Sequence, residues 1–548
     1  MAPKDLLIVA AFCVSAVGSG PARTAEPDLA PATLPTGLQS PSQWPPRARS
    51  LTREPMEVPY LRSPPAVIPI DLGRQLFVDD FLIDQTALRR TFHQAEYHPA
   101  SPVIRPDRPW EREGALPTAM VFSDGVWYDP ADKLFKMWYM GGYTTTTCYA
   151  TSKDGIHWEK PSLDVEPGTN VVLRQGRDSA TVWLDHRESD SKRRFKMFTM
   201  QRDGKGWVLV LRASADGIHW SKPLATSPTT GDRTTVFHNP FRGVWVYSLR
   251  SDYSGLGRMR RYREHTDAAA GLTWRDSEPA LWVGADRLDP HNPNPELQNI
   301  APQLYNLDAV AYESLILGLF SIWQGDPAQR GFQKRNEVLL GFSRDGFHWH
   351  RPDRRPFASV NESVGAWNWA NVQSAGGGCL VVGDKLYFYV SGRQQSRKTG
   401  HNTTGLAILR RDGFASMDAG SDEGALTTRP LRFSGKHLFV NLAAPKGGLR
   451  AEVLDQEGRV LEPFTRANCT PVTSDLTLAE VKWNGAKDLS SVSGKPVRFR
   501  VHLRDGSLYA FWVSPDGSGA SHGYVAAGGP GLTGPQDTVG QAAYTAAR

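Results

Sequence analysis

The heptapeptide SKDGIHW at 152–158 returns as SADGIHW at 214–220 and SRDGFHW at 343–349. A chain that repeats one turn across otherwise unrelated sequence builds its fold from a repeated unit, and that unit has to be found first. A degenerate copy, DAAAGLTW, ends at Trp274, and RRDGF ends at Phe414. The intervals are uneven but lie at roughly 60 residues, the length of a four-stranded propeller blade with its connections. Two strand-like runs precede each turn. They are TAMVFSDGVWYDP with LFKMWYM, SATVWLDH with FKMFTM, RTTVFHNP with VWVYSL, LDAVAYES with LILGLFSIW, and GGCLVVGD with KLYFYVSG. Their alternation and their β-branched and aromatic content are strand signals. The turn is structural: Asp and Ser bond its backbone, Gly takes positive φ, and Trp packs beneath.

The expected fold is all-β, a five-bladed β-propeller over 70–423 followed by a C-terminal β-sandwich over 424–514, where runs such as KHLFVNLA and PVRFRVHLRDGSLYAFWV sit between turn residues. The run QLFVDDFLI, Gln75 to Ile83, is read as the outer strand that closes the last blade. Residues 26–69, rich in Pro, Ser and Ala, read as a linker, and 515–548, rich in Gly and Ala, as a disordered tail. Residues 1–25 have Lys4, an apolar stretch from Leu6 to Val17 and then small residues, the anatomy of a secretory signal. That places the protein outside the cytoplasm, secreted or periplasmic, and no later run is apolar for long enough to span a membrane. Cys148, Cys379 and Cys469 have no metal-ligand spacing and allow at most one disulfide. The formal charge of +6 comes without a dense basic run or a nucleic-acid motif, so no nucleic-acid partner is expected. An anionic glycan or surface is compatible with that charge. Oligomeric state is left open.

Side chains alternate along a strand, so the five first strands can be aligned on the turn residues Asp129, Asp185, Asn239, Glu313 and Asp384. Seven residues back stand Phe122, Asp178, Asp232, Asn306 and Gly377. Five back stand Asp124, Ala180, Thr234, Asp308 and Cys379. Four blades thereby present one Asp to the propeller mouth, and the fifth offers Gly376 to Gly378, which leaves space. Converging carboxylates are costly unless they bind a cation, share protons or meet a substrate. Glycoside hydrolysis needs such a set, with an acid for the leaving oxygen and a base or nucleophile opposite. The catalytic candidates are Asp178, Asp232 and Asp308, completed by Glu337 or Asp124. Candidate substrate-binding residues near the rim are Trp110, Glu111, Arg233, Trp367, Trp369, Gln373, Arg393 and His401, with Glu113 close by. Trp367 and Trp369 read equally as an aromatic platform for sugar or as packing. Glu313 ends its strand at the far side and reads as structural. No cofactor is required; four Asp side chains could hold Ca²⁺, though no loop motif demands it. No Ser/His/Asp arrangement, phosphate loop or Cys/His metal pattern occurs.

These turns, the rim carboxylates and the trailing strands resemble the five-bladed propeller glycoside hydrolases, the invertase/levanase and arabinanase/xylosidase families and exported hydrolase-like relatives. The resemblance covers about Ile70 to Ser514. GRDSATVW (Gly176 to Trp183) is similar to the Arg-Asp-Pro stretch of the invertase group, with Ser179 in place of Pro, and implies that Asp178 stabilises the transition state. The Asn-Asp-Pro-Asn-Gly opening and the Glu-Cys pair of that group are absent. The expected function is an exported glycoside hydrolase acting on a polysaccharide or oligosaccharide. The alternatives are a non-catalytic glycan-binding propeller and, third, a glycoside phosphorylase or lyase on the same fold.

Overall fold

The structure, a computed structural model, describes residues 33–325, 334–369, 371–394 and 400–546. The N-terminal apolar segment lies outside the described residues. The chain is nearly all-β, and the helices among the described residues are the short runs Pro59–Arg62 and Gln541–Ala546 with a few single 3-10 turns.

Five antiparallel sheets follow one another between residues 96 and 410, each a set of hydrogen-bonded neighbours in or near chain order. Their first strands are Ala119–Asp129, Ala180–Leu184, Thr235–Asn239, Gln303–Glu313 and Val372–Ser374. Each of the first three lies against the next. Val372–Ser374 adjoins both Asn336–Ser343 of the fourth sheet and Ala119–Asp129 of the first, so the succession returns to its start. The interior is apolar and aromatic, with Trp127, Trp138, Trp245, Trp282 and Trp349 fully buried.

The repeated turns fasten this ring. In each clear copy the Asp Oδ1 accepts the backbone N–H groups two and three residues on, at 2.8–2.9 Å for Asp154, Asp216 and Asp345. Its Oδ2 meets the ring Nδ1 of the motif's His at 2.7 Å in all three. The Gly then receives a side chain from the preceding sheet. The Trp138 indole donates to the Gly217 carbonyl at 2.7 Å, and the Tyr389 hydroxyl to the Gly155 carbonyl at 2.5 Å. Repetition therefore serves sheet-to-sheet docking as well as turn formation. At Gly217 (φ +81°) an added Cβ would stand 2.3 Å from Trp138, whereas at Gly204 (φ +90°) it would meet nothing within 4 Å. Gly204→Ala should cost only the left-handed backbone term, ~1–2 kcal/mol. Gly217→Ala adds overpacking and should cost ~1–3 kcal/mol more. Urea unfolding of the two variants side by side checks this, and equal costs would remove the docking argument.

Several expectations are corrected. Gln75–Leu76 pairs with Gly506–Ser514, and Ile83–Thr86 with Gly424–Thr428; the outer strand of the fifth sheet is Glu96–Tyr97, paired with Ile408 and Ala407. The N-terminal strands thus complete two further sheets. One runs Asp475–Val481, His437–Ala443, Gly506–Ser514, Ala415–Ala419, Arg89–Phe92, and the other Gly448–Leu454, Arg498–Arg504, Gly424–Thr428, Ile83–Thr86. They share an apolar core of their own around Phe77, Phe433, Phe499 and Phe511. The stretch expected to be a linker buries Leu34, Leu38, Val58 and Tyr60 and forms the strand Ile68–Pro69. The stretch expected to be a disordered tail instead crosses the far end of the ring. Ala526 N–H donates to the Ala311 carbonyl and Ala527 N–H to that of Cys379, while Tyr128 and Val381 N–H groups donate to Ala527 and Gly528. Gly376 to Gly378 leave no open space. A Cβ on Gly376 would stand 2.7 Å from the Ser123 carbonyl and one on Gly378 2.5 Å from Val310, so these glycines allow neighbouring backbone to approach. The cysteines Cys148, Cys379 and Cys469 are buried and unpaired.

Candidate active site

The end of the ring opposite the C-terminal segment carries the charged cluster. Two irregular inner strands shape it. In the first sheet the ladder jumps from Met120–Met140 to Gly125–Trp138, which leaves Val121 to Asp124 as a bulge with Ser123 at φ +65°. In the fourth it jumps from Leu304 to Asn306 and lifts Tyr305 out of register. Bulges re-aim side chains, and they recur at ring rims for that reason.

Asp308 is buried, and its Oδ2 accepts from Ser123 Oγ at 3.0 Å, Asn306 Nδ2 at 2.8 Å and Ser374 Oγ at 2.6 Å. Burial raises its pKa against those donors and the Arg233 charge. Arg233 lies at the centre. It donates to Ser123 Oγ and Gln373 Oε1 at 3.2 Å each and stacks on Phe122 at 3.6 Å. Gln373 is oriented by its own bond to Asn371 Oδ1 at 2.9 Å. Asp178 is partly buried and accepts from the Ser179 N–H at 2.9 Å. Burial and the neighbouring Asp232 carboxylate push its pKa up to about 6, against Arg233 and Lys334. Asp232 is the open member, its side chain 40% exposed with Arg250 Nε at 3.7 Å. Ser179 Oγ donates to the Asp232 carbonyl at 3.2 Å and ties the two segments together. Across from them, Lys334 Nζ donates to the Tyr305 hydroxyl at 2.7 Å. Burial alone would raise Tyr305, but Lys334 and Arg233 outweigh it and hold the phenol below its ordinary value.

Asp124 belongs to this cluster in another capacity. Both its oxygens are held by Arg177, with both side chains fully buried. Burial still lifts its pKa overall. Arg177 also donates to the Asp178 carbonyl at 2.9 Å. Asp124 is therefore a positioning residue: it orients Arg177, which holds the Asp178 backbone.

Other candidates lie elsewhere. Glu337 accepts from Gln324 Nε2 at 2.9 Å and from the Val360 N–H at 3.2 Å, with Arg335 at 3.3 Å, and bonds no member of the cluster. Glu111 is sealed by Tyr139, Lys160 and the Asp107 and Arg108 N–H groups, and it secures the loop on which Trp110 donates to Asn170 at 2.9 Å. Glu113 pairs with Arg174. Trp367, partly buried, lies on Gly392 and Gly405, where a Cβ would come within 2.3 and 2.0 Å, and meets Tyr97 edge to face at 5.2 Å, so its described contacts are packing contacts. Trp369 is partly buried and His401 exposed, and neither bonds the cluster. Glu313 lies at the far end with Arg74 and Arg411. Arg393 is buried at the cluster's edge. Among the described residues no three His, Cys, Asp or Glu side chains form a metal-binding group; the cations facing these carboxylates are guanidiniums and Lys334.

No family model matches the chain, and no curated protein matches it in sequence. Solved structures similar to it include an N-acetylgalactosamine deacetylase from F. plautii, in complex with blood group B trisaccharide. It is 15% identical over 63% of this chain and 97% of that one, at a TM-score of 0.37. A thermostable family-43 glycoside hydrolase is 12% identical over 55% and 93%, at 0.39. A glycosyl hydrolase from Bacteroides ovatus is 14% identical over 58% and 94%, at 0.38. Likeness this slight carries no argument about the chemistry.

Sequence reading missed Arg177, Ser123, Ser374, Tyr305 and Arg260. Arg177 had a signal, since it adjoins Asp178 as Arg233 adjoins Asp232. Arg260 had none: it reaches inward from a second-neighbour strand to the carbonyls of Arg233 and Tyr305.

Proposed function

We propose that this chain is an O-glycosyl hydrolase whose five-sheet ring is a five-bladed β-propeller, with the two further sheets as a β-sandwich beside it. The observation that carries the reading is the pairing of Asp178 with Asp232 at the open end of the ring: one carboxyl keeps its proton to about pH 6, and the other is exposed. An acid that keeps its proton, set beside a second, solvent-exposed carboxyl group, is what acid–base cleavage of a glycosidic bond requires. Asp178 donates its proton to the leaving oxygen as the anomeric C–O bond breaks. Asp232 takes the proton of the attacking water, or bonds the anomeric carbon first and releases it to water afterwards; the anomer formed first distinguishes these routes. Asp308 and Arg233, fixed through Ser123, Asn306 and Ser374, orient the sugar. This assigns Asp178 the proton in place of the purely stabilising role that the invertase resemblance implies. The substrate is a carbohydrate met outside the cytoplasm, with residues 1–25 as the export signal.

The test is release of reducing ends from a panel of polysaccharides by wild type and Asp232→Asn. We expect cleavage of at least one glycan and a loss of ~10³-fold or more in the variant. A folded wild type that binds a glycan but cleaves none would make the chain a glycan-binding protein instead.

A further inference from the structure

Buried guanidiniums need counter-charges or a full set of acceptors. Arg177 has Asp124, Arg233 has Ser123 and Gln373, and Arg260 has the carbonyls of Arg233 and Tyr305. Arg393 differs. It is 7% exposed, its Nε is unpartnered as in Arg233 and Arg260, and among the described residues no carboxylate, carbonyl or amide oxygen holds its guanidinium, whose one side-chain hydrogen-bonding neighbour is the Tyr143 hydroxyl. Its surroundings are the faces of Phe122 and Tyr143, each 5.7 Å away. Asp178 and the Tyr143 and Tyr305 hydroxyls are near enough to act on its charge. Asp178 is no effective counter-ion while it holds a proton. A planar cation buried beside the reacting pair and lacking an anion is a receptor for one.

We propose that Arg393 binds an oxyanion carried by the substrate itself, the carboxylate of a uronic acid or the sulfate ester of a sulfated sugar, in the subsite beside Asp178. This rests on the glycan-processing reading of the same cluster and narrows its substrate class. Tyr305, polarised by Lys334, is the adjacent hydroxyl donor to the same group. The small positive excess of the chain, +6, favours the approach of such polymers without creating the selectivity.

The test uses the full chain in calorimetric titrations with three oligosaccharides of equal length: an oligogalacturonide, a sulfated galactan fragment and a neutral galactan fragment. Inorganic phosphate is the fourth probe. Wild type should bind one charged sugar at least ~10-fold tighter than the neutral one, a preference that weakens with added salt. Arg393→Gln should reduce that preference ~10- to 100-fold, the worth of a charge-assisted hydrogen bond, and Arg393→Lys should retain part of it. At ~pH 8, where Asp178 is ionised, Asp178→Asn should tighten the charged sugar by removing a competing anion, and that gain should disappear when Arg393→Gln is added, which a purely structural Arg393 would not produce. A preference that survives Arg393→Gln, or neutral sugar bound as tightly as charged, overturns the proposal. So does turnover that requires inorganic phosphate, since the oxyanion is then a co-substrate. The two readings fail separately. Charged sugar held through Arg393 but never cleaved rejects the hydrolase and keeps this subsite; neutral glycan cleaved by Asp232 without regard to Arg393 does the reverse.

Discussion

Asp178→Asn is expected to abolish turnover and make the protein more stable at the same time. The loss of rate should be ~10²–10⁴, the usual contribution of a general acid. The gain in stability follows from the direction of the shift. Burial and Asp232 raise Asp178 to about 6 in the folded chain, while an unfolded Asp titrates at ~3.9. Below ~pH 4 the group is protonated in both states and its favourable contribution is fully present. As pH rises through about 6 that contribution is lost, because the folded state must then hold an ionised carboxylate in poorly hydrated surroundings. About two pKa units correspond to ~3 kcal/mol. Asparagine imitates the protonated form at every pH. The variant should therefore match wild type near pH 4 and exceed it by ~2–3 kcal/mol at ~pH 8, read as a rise of a few degrees in the unfolding midpoint. Wild-type turnover should fall as pH passes about 6. A variant that is inactive and also less stable at ~pH 8 would show that Asp178 serves the fold, and the assignment of the acid would fail with it.

The same logic explains which parts of the molecule can be read from sequence. The turns are legible because their chemistry is local: Ser, Asp, Gly and His in seven residues satisfy one another's hydrogen bonds. Asp178, Asp232 and Asp308 can be found by counting back from those strands' ends, since the pleat keeps parity over a few residues. Counting fails where the ladder bulges. Asp124 has the right offset, but the bulge at Val121 to Asp124 delivers it to Arg177, whose own direction no pattern in the sequence encodes. Glu337 sits on a strand that does approach the same rim, yet its side chain takes the face turned toward Val360. The strand that closes the fifth sheet is two residues long, Glu96–Tyr97, and carries no alternation to detect. Gln75 to Ile83 has that alternation and divides it: Phe77, Phe81 and Leu82 enter the core of the two further sheets, while Leu76 and Val78 pack into that of the ring. Local pattern identifies a strand; the choice of sheet depends on which apolar surface remains uncovered.

Deletion of residues 515–548 should prevent folding, although composition alone marks them as dispensable. Glycine in this segment permits contact: a Cβ on Gly529 would stand 1.7 Å from the Val381 carbonyl, and one on Gly523 2.0 Å from the Glu313 carboxylate. The segment also supplies charge to a sealed network. Arg411 pairs with Asp537 at 2.9 Å and Arg74 with Asp412 at 2.8 Å, all four side chains fully buried. Ser521 Oγ donates to Glu313 at 2.8 Å, and the Tyr544 hydroxyl accepts from Arg74 at 3.2 Å. Arg74 comes from the N-terminal strands, Glu313 from the ring and Asp537 from the last residues, so one polar knot joins three distant parts of the chain. Breaking a buried pair from one side costs ~3–5 kcal/mol, because the partner charge stays behind. Asp537→Ala should cost that much by itself. The deletion adds the loss of the backbone bonds across the far end of the ring, and together these approach the ~5–15 kcal/mol that holds a typical protein folded. The pair has a pH signature as well. Arg411 and Arg74 overcome the effect of burial and hold Asp537 below the usual carboxylate range, so its contribution is present above ~pH 4 and is lost as pH falls through the lowered value. Soluble yield of the truncated chain, and urea midpoints of Asp537→Ala at ~pH 7 and ~pH 3, measure both effects. The variant should lie well below wild type at the higher pH, and the gap should narrow at the lower. A truncated chain as stable as the whole would mean that the ring closes without its plug, and the buried pair would then be a consequence of the fold with no part in holding it.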